Sequence, residues 1–279
     1  MYLIADGGST KTEWILIEGQ QVVMRFLTKG FNPNYMDWAT ITAIIDTEIP
    51  SDCPVDVEEI NYYGSGCGNE KNCQLVSAAL QRRFPTAAIH VSHDLMAAAH
   101  GLCGHEKGIA CILGTGANSC LYDGKNIVNQ AVSLGFLVGD EGSGTYIGKK
   151  ILRNYFYGFM PSDLKQEFEA YYQLTHKDFI DKLYHFPQPN MYLADFCKFA
   201  GGHQNHPYIQ KICSDSFNEF IRIFVERYDG YKELNISFVG SVAFHFQSVL
   251  KACFDEKGLR LGKITQSPSD GLIDYYLSL

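Results

Sequence analysis

The sequence predicts an α/β protein built from a duplicated unit, and three observations lead to this fold class. The chain has 279 residues, which at about 150 residues per domain corresponds to two domains or one large one. Apolar runs of strand length alternate with amphipathic stretches of helix length. A strand, a glycine turn and a returning strand occur twice, near residues 3–17 and 108–122. Such internal similarity indicates a repeated unit, with a boundary near residues 104–108.

In the first half of the chain, short apolar runs are separated by turns rich in Gly, Ser and Thr. Three antiparallel strands in a meander are predicted at residues 2–5, 13–17 and 22–26. Two further strands are expected at residues 60–63 and 87–92. Helices are expected at residues 37–49, 72–84 and 95–103, where the apolar residues follow a helical period.

The second half of the chain begins with the same pattern. Strands are predicted at residues 108–113, 119–122 and 236–239, and Asp123-Gly124 is a hairpin signal after the second of them. Helices are expected at residues 145–159 and 243–253, with a mostly helical stretch to about residue 231 and a short last helix after Pro268.

The charge of the chain restricts its partners. Thirty-one acidic and 23 basic residues give a formal charge of −8, which argues against a wide basic surface for nucleic acid or anionic lipid. The longest apolar runs fall short of the ~18 residues that a membrane span needs. Phosphate binding stays open, because a cluster of backbone N–H groups needs no net positive charge. We therefore expect a small-molecule ligand, with neither a nucleic-acid nor a membrane partner.

The cysteines and the first residues predict a cytoplasmic protein. Nine cysteines are present, an odd number, and no two of them form a C-x-x-C pair. Buried, reduced thiols are therefore favoured over a disulfide framework or a zinc site. The chain opens with Met1-Tyr2-Leu3-Ile4-Ala5, without the basic and long apolar regions of a secretory leader.

The first candidate site is the segment Asp6-Gly7-Gly8-Ser9-Thr10-Lys11-Thr12. Two glycines at a strand end allow backbone amides to approach an anion closely. The hydroxyls and the lysine would add donors and a positive charge. Asp6 could hold Mg²⁺, usually through water, because hard cations take oxygen ligands. A plain glycine-rich hairpin turn is an equally good interpretation of this segment taken alone.

Two later glycine turns extend this pattern. Gly114-Thr115-Gly116-Ala117-Asn118 again places small residues and donors between two strands. The two strand–turn–strand loops together could clamp a polyphosphate, although each could also be a simple turn, and neither is a Walker or G-x-G-x-x-G motif. Gly240-Ser241-Val242-Ala243 links a strand to a helix, either as an ordinary turn or as a surface for adenine or ribose.

Two acidic segments are candidates for chemistry. Asp94 lies between a strand and a helix, where it could be the helix N-cap or a general base for a substrate hydroxyl. Asp140-Glu141 lies between glycines at a helix start. These carboxylates could complement the helix dipole or contact a polar ligand such as a sugar.

The ordered set of motifs resembles the BadF/BadG/BcrA/BcrD-type ATPase family, and within it most closely the N-acetylglucosamine kinases of the actin/Hsp70/sugar-kinase superfamily. The resemblance covers nearly the whole chain. It implies two ribonuclease-H-like (actin-like ATPase) domains, residues 1–105 and 106–267, with ATP and sugar in the cleft between them. A last helix, residues 268–279, could pack back on the first domain. A homodimer that uses ATP and Mg²⁺ is also implied.

The resemblance assigns roles to individual residues. Asp94 is expected to be the catalytic base and Asp6 the metal-binding residue. The phosphate-binding residues would be Gly7, Gly8, Ser9, Thr10, Lys11, Thr12, Gly114, Thr115 and Gly116. The adenosine-binding residues would be Gly240, Ser241 and Ala243. The sugar-binding residues would be Asn34, Asp94, Thr115, Gly116, Gly135 and Asp140.

The chain departs from the family pattern at the sugar site. Leu134 stands where the N-acetylglucosamine kinases usually have a Trp, which puts the sugar preference in doubt. A kinase for glucosamine or N-acetylmuramic acid is therefore an alternative, as is a nucleotide- and sugar-dependent sensor without turnover. The absence of cysteine between Cys120 and Cys197 argues against the iron–sulfur branch that activates 2-hydroxyacyl-CoA dehydratases. The zinc-binding cysteines of the related ROK sugar kinases are also missing.

Overall fold

The chain divides into two compact units. A computed structural model of the protein describes residues 1–8 and 10–278. The first unit comprises Met1–His105 together with Pro268–Leu279, and the second comprises Glu106–Ser267. Each unit is built around one five-stranded sheet.

The sheet of the first unit has the order β3-β2-β1-β4-β5. Strands β1, β2 and β3 form an antiparallel meander, and β4 and β5 continue the sheet parallel to β1. Their bounds are β1 Tyr2–Gly7, β2 Lys11–Glu18, β3 Gln21–Lys29, β4 Glu59–Gly64 and β5 Ala88–His93. The predicted meander and both further predicted strands are confirmed, and the structure shows that these two strands run parallel to β1.

Helices cover both faces of this sheet. They are α1 Trp38–Glu48, α2 Glu70–Arg83, α3 Asp94–Cys103 and the last helix, α13 Ser269–Leu277. Helices α1 and α2 begin at Asp37 and Asn69, whose side chains accept backbone N–H bonds and so cap the first turn. On one face they pack around Trp14 and Tyr62. On the other face, α3 and α13 close a smaller core around Ile4.

A partly buried histidine, His100 of α3, contacts α13. The Tyr63 hydroxyl lies 2.9 Å from His100 Nδ1, and the His100 ring stacks on Tyr275 with 4.1 Å between centroids. Burial, with a smaller contribution from His105, lowers the pKa of His100 to about 4. An unfolded histidine titrates near 6.5. The folded protein therefore binds fewer protons than the unfolded chain between these two values.

We expect this histidine to make the fold acid-sensitive. The free energy of unfolding should fall by up to about 3 kcal/mol as the pH drops from about 6.5 to about 4, because the unfolded state is protonated first. Urea unfolding at pH 7 and pH 5 measures the loss. His100→Gln should flatten this part of the profile, whereas His185→Gln, at an exposed position, should leave it unchanged. An identical slope in His100→Gln would contradict the assignment.

The second unit repeats the sheet of the first. Its order is β10-β9-β6-β7-β8, again with three antiparallel strands followed by two parallel ones. The bounds are β6 Gly108–Leu113, β7 Ala117–Tyr122, β8 Ile127–Gln130, β9 Ile236–Val239 and β10 Leu261–Thr265. This repetition confirms the predicted duplicated α/β fold.

The helices of the second unit surround a core rich in phenylalanine, with Phe217, Phe220 and Phe238 among its fully buried members. A π-helical segment, Ile221–Val225, follows α10. The helices are α4 Gly135–Val138, α5 Gly144–Phe156, α6 Ser162–Tyr172, α7 His176–His185, α8 Pro189–Asp195, α9 Cys197–Gly202, α10 Pro207–Phe220, α11 Ser241–His245 and α12 Gln247–Lys257. The single helix predicted over residues 243–253 is wrong. Phe246 interrupts it with a non-helical backbone, and its ring is buried beside Phe217.

Two further features concern the cysteines and the length of the helices. All nine cysteines lie within the described residues and are free thiols, seven of them buried. Over residues 1–8 and 10–278, none of the helices combines the length and the apolar character required to cross a membrane.

Candidate functional site

The turn between β1 and β2 is held by backbone contacts. The Gly8 N–H donates to Lys11 O at 2.9 Å, and the Gly30 N–H donates to Thr10 O at 2.9 Å. A Cβ on Gly30 would lie 2.5 Å from Lys11 N and 2.7 Å from Thr10 N. Only glycine therefore allows the chain after β3 to pack against this turn.

The predicted donors of this turn differ in exposure. The Thr10 and Lys11 side chains are exposed, so a hydroxyl and an ammonium group reach solvent. Thr12 is fully buried on β2 and presents no hydroxyl to solvent. Asp6 is partly buried at the carboxyl end of β1, and Ser9 lies outside the described residues.

Asp94 is the first residue of α3 and follows β5 directly. The N-cap is His93, and no side chain forms a capping hydrogen bond at this end of the helix. The interpretation of Asp94 as the N-cap is therefore wrong. The Ser65 hydroxyl, from the turn after β4, instead donates to Asp94 Oδ2 at 3.3 Å.

The environment of Asp94 changes its acidity. Burial raises the pKa of this carboxyl above its ordinary value, and His93, Ser65 and the Leu95 N–H lower it in part. A carboxylate with a raised pKa accepts a proton more readily than an ordinary aspartate does. Asp94 therefore has the properties of a general base.

A network of amide groups connects Asn34 to the turn that holds Asp94. Asn72 Nδ2 donates to Asn34 Oδ1 at 2.8 Å and to Gly66 O at 2.7 Å. Asn34 is exposed, so its side chain is accessible to a ligand. Gly66, with φ +85°, has no room for a Cβ because Asn32 Oδ1 occupies that place. The first unit thus brings Asn34 and Asp94 to one group of turns.

In the second unit, the turn between β6 and β7 is fixed to the start of α5. The Gly144 N–H donates to Gly114 O at 2.8 Å, and the Thr145 hydroxyl donates to Thr115 O at 2.7 Å. A Cβ on Gly240, which has φ +124°, would overlap the Leu113 carbonyl. Two of the predicted glycine turns therefore touch.

Asp140 lies beside the same turn. Its backbone has φ +59°, an uncommon conformation for a residue other than glycine, and the residue is 8% exposed. A Cβ on Gly116 would lie 3.1 Å from Asp140 Oδ2, so the carboxylate lies against the glycine. Burial raises the pKa of Asp140, while the Ala117 N–H and Lys149 lower it in part. The predicted sugar-binding residues Thr115, Gly116 and Asp140 therefore lie together.

Gly135 and Leu134, which precede Asp140 in the chain and were identified in the sequence analysis, are more exposed than Asp140. Gly135 is the first residue of α4, with φ +69°, and is partly exposed. Leu134, which replaces the Trp expected from the family pattern, is 62% exposed. Its side chain is therefore available to a ligand rather than part of the core.

A cavity of about 470 Å³ opens beside the β6–β7 turn, within the range of small-molecule pockets. Ser241 lines it, whereas Ala243 is fully buried. Most of the lining comes from segments that the sequence did not single out, since no local motif marks them. The lining residues are Gly114, Thr115, Gly144, Met191, Ala194, Asp195, Cys197, Lys198, Gly201, Gln204, Ser241, Val242, His245 and Phe246.

Two α/β units with the same strand order, each with a glycine turn after its first strand, define the two-domain class of actin-like ATPases and sugar kinases. No protein-family model and no curated protein matches the chain.

Solved structures, in contrast, include proteins that match this chain. The "Putative N-acetylglucosamine Kinase" of Porphyromonas gingivalis is 38% identical, covers 100% of this chain and 99% of its own, and superposes with a TM-score of 0.95. The chain therefore belongs to the family of this protein, the N-acetylglucosamine kinase-like sugar kinases, as its motifs predicted.

More distant structures support the fold. A second "Putative N-acetylglucosamine Kinase", from Chromobacterium violaceum, is 16% identical over 98% of both chains, with a TM-score of 0.77. The ROK hexokinase of Thermus thermophilus is 11% identical over 99% of this chain and 96% of its own, with a TM-score of 0.53. At these identities the similarity concerns the fold alone.

Proposed function

We propose that this protein transfers the γ-phosphate of ATP to the 6-hydroxyl of N-acetylglucosamine. Its family makes it an ATP-dependent sugar kinase. The identity of the acceptor sugar and of the hydroxyl that is phosphorylated is our proposal. The observation that carries the proposal is the Asp94 carboxylate, which follows a strand directly, is partly buried and is held by Ser65. Asn34 belongs to the same group of turns, where its exposed amide could bind a sugar hydroxyl.

Asp94 would act on the attacking hydroxyl. The hydroxyl oxygen forms a bond to the γ-phosphorus while the bond from that phosphorus to the bridging oxygen of ADP breaks. The hydroxyl proton passes to Asp94, and ADP leaves. Because phosphoryl transfer offers a protein little covalent work, most of the rate enhancement should come from positioning and charge.

The β1–β2 turn fits a phosphate and a magnesium ion. Gly7 and Gly8 keep side chains away from its backbone, and Thr10 and Lys11 add exposed donors. Asp6 supplies one carboxylate, which suits Mg²⁺ because this ion is usually held by one or two carboxylates, water and phosphate oxygens. When bound, Mg²⁺ would neutralise charge that develops on the phosphate oxygens. Thr12 follows this turn on β2 and is buried, so any contact of Thr12 with phosphate would come from its backbone. The phosphate-binding role predicted for Ser9 falls on a residue outside the described part of the chain.

The second unit carries its own set of predicted binding residues. We assign Thr115, Gly116 and Asp140 to the sugar, with Gly135 nearby, and the Gly114 backbone to phosphate. The cavity of about 470 Å³ beside them would receive the adenosine. Ser241 lines this cavity, and Gly240 and Ala243 would shape the turn that carries it.

The location and assembly are also proposals. The nine free thiols fit a reducing compartment, which supports a cytoplasmic location where ATP is plentiful. The family resemblance supports a homodimer and membership in the BadF/BadG/BcrA/BcrD-type ATPases. The acidic charge of −8 argues against nucleic-acid and anionic membrane partners.

The proposal is tested by ADP release from purified protein and Mg²⁺-ATP. The acceptors are N-acetylglucosamine, glucosamine, N-acetylmuramic acid, N-acetylmannosamine and glucose. We expect N-acetylglucosamine to give the highest kcat/KM, and mass spectrometry and NMR of the product to place the phosphate on the 6-hydroxyl.

Other results would redirect the proposal. If another sugar gives the highest kcat/KM, the acceptor assignment is wrong, and Leu134→Trp tests whether that residue sets the preference. If no sugar stimulates ADP release although ATP binds, the kinase proposal fails and the sensor alternative replaces it.

A further inference from the structure

We propose that Lys149 is a positioning residue that fixes the segment from Phe136 to Asp140 and keeps the Asp140 carboxylate ready for the sugar. This inference rests on the proposed function, in which Asp140 binds the acceptor sugar. None of the motifs identified in the sequence analysis includes Lys149. Its contribution is visible only in the structure, where α5 passes beside α4.

Lys149 is tied to the segment by a direct hydrogen bond. Its Nζ lies on α5 and donates to Phe136 O in α4 at 2.5 Å. Helix α4 has four residues, none of them buried, and Leu137 and Val138 are 77% and 72% exposed. Phe136 is the residue of α4 that packs, partly buried, against the core, so the bond from Lys149 is an important second connection between α4 and the body of its unit.

The backbone after α4 needs such support. Gly139 closes α4 through its N–H bond to Gly135 O at 2.8 Å. The next residue, Asp140, has φ +59°, a conformation that costs free energy for a side chain with a Cβ. It persists only where the surroundings hold it. The Asp140 carbonyl accepts the Ser143 N–H at 3.0 Å on one side, and the Lys149 bond holds the segment on the other.

Lys149 also affects the charge of Asp140. The charged groups that face this carboxyl are Lys149 from α5 and Glu141 from its own turn, and the β6–β7 turn contributes the Ala117 N–H. Burial and Glu141 favour the protonated form, whereas Lys149 and the Ala117 N–H favour the carboxylate. Loss of the lysine removes its attraction, so the pKa of Asp140 should rise.

The chain offers a matched control at the next position. Lys150 is on the same helix, but its Nζ lies 3.2 Å from Glu219 Oε2 and 4.7 Å from the centroid of the Tyr146 ring. Among the described residues its hydrogen-bond and ion-pair partner is Glu219 rather than any residue of α4, and it is not one of the charged groups that shift the pKa of Asp140. Lys150→Met therefore removes the same charge and the same length of side chain without disturbing the proposed connection.

The experiment compares steady-state kinetics of Lys149→Met, Lys149→Arg and Lys150→Met between pH 5 and pH 8. For Lys149→Met we expect the sugar KM at pH 7 to rise about tenfold with kcat changed less than about twofold. The acid limb of kcat/KM for the sugar should move up by about one pH unit. Lys149→Arg should restore most of both values, because it keeps the charge and a donor. Lys150→Met should match the wild type.

Each contrary result has a distinct meaning. If Lys149→Met and Lys150→Met behave alike, or if the sugar KM rises without a shift of the acid limb, the inference is overturned while the kinase assignment stands. Asp140→Asn checks the identity of the limb: the contribution of Asp140 should disappear in that variant, and the limb that remains should be the one set by Asp94. If the wild-type protein phosphorylates none of the sugars, the proposed function fails, and the inference falls with it because Asp140 has no sugar to bind.

Discussion

Asp94→Asn is expected to lower kcat about 10²–10⁴-fold, the usual contribution of a general base. Asparagine has nearly the shape of aspartate, so the sugar should still bind and its KM should stay within about threefold. The pH profile adds a second readout. Because burial raises the pKa of Asp94, the wild-type kcat should fall on the acid side at a pH above the ordinary range of an aspartate, and the variant should lack this limb.

Asp37→Asn provides the control for this experiment. It makes the same chemical change in the same unit, at a helix N-cap where Asp and Asn serve equally well. Its kcat should equal that of the wild type. If Asp94→Asn retains kcat within about threefold of the wild type, Asp94 is not the general base.

Gly240→Ala is expected to cause a large loss of stability in the second unit. The new Cβ would overlap the Leu113 carbonyl oxygen and lie 3.0 Å from Gly114 N. These neighbours are backbone atoms, so no side chain can rotate away. The positive φ of Gly240 adds strain. Together these effects should cost about 3 kcal/mol and raise the ATP KM, since the β6–β7 turn must move.

Thermal unfolding and ATP kinetics measure both effects. Gly202→Ala is the matched control, because a Cβ at this position in α9 meets no atom within 4 Å and φ is not positive. Its Tm should equal or exceed that of the wild type, since alanine favours helix more than glycine does. A Gly240→Ala protein with unchanged Tm and ATP KM would contradict the role given to this glycine.

The sequence predicted the strands that lie inside each sheet and missed those at the edge of the second. Strands β1 and β6 are almost fully buried and read as apolar runs beside glycine turns. Strand β10 contains Gly262 and Lys263 and has no buried residue. Strand β8 is likewise mostly exposed. An exposed edge strand buries little apolar surface, so its apolar and polar residues do not alternate in a recognisable pattern.

The same limit applies to the candidate site. The turn at Gly240-Ser241 could be found because a close contact with the Leu113 carbonyl demands glycine at position 240, and a glycine after an apolar run is visible in the local sequence. Ser65, Asn72 and Lys149 could not be found in this way. Each acts on a residue from a separate element, and only the folded chain brings the two together.

The composition of the first unit has a consequence for synthesis of the protein on the ribosome. Helix α13 supplies Leu272 to the core around Ile4, although 162 residues of the second unit, Glu106–Ser267, separate Met1–His105 from Pro268–Leu279. The second unit has its complete sequence as soon as Ser267 has emerged. The first unit starts earlier, but one face of its sheet remains incomplete until α13, which follows the whole second unit, has been synthesised. Nascent chains therefore expose the apolar patch around Ile4 and Ile15 until α13 has emerged, and we expect this patch to be a target for chaperones that bind unfinished domains.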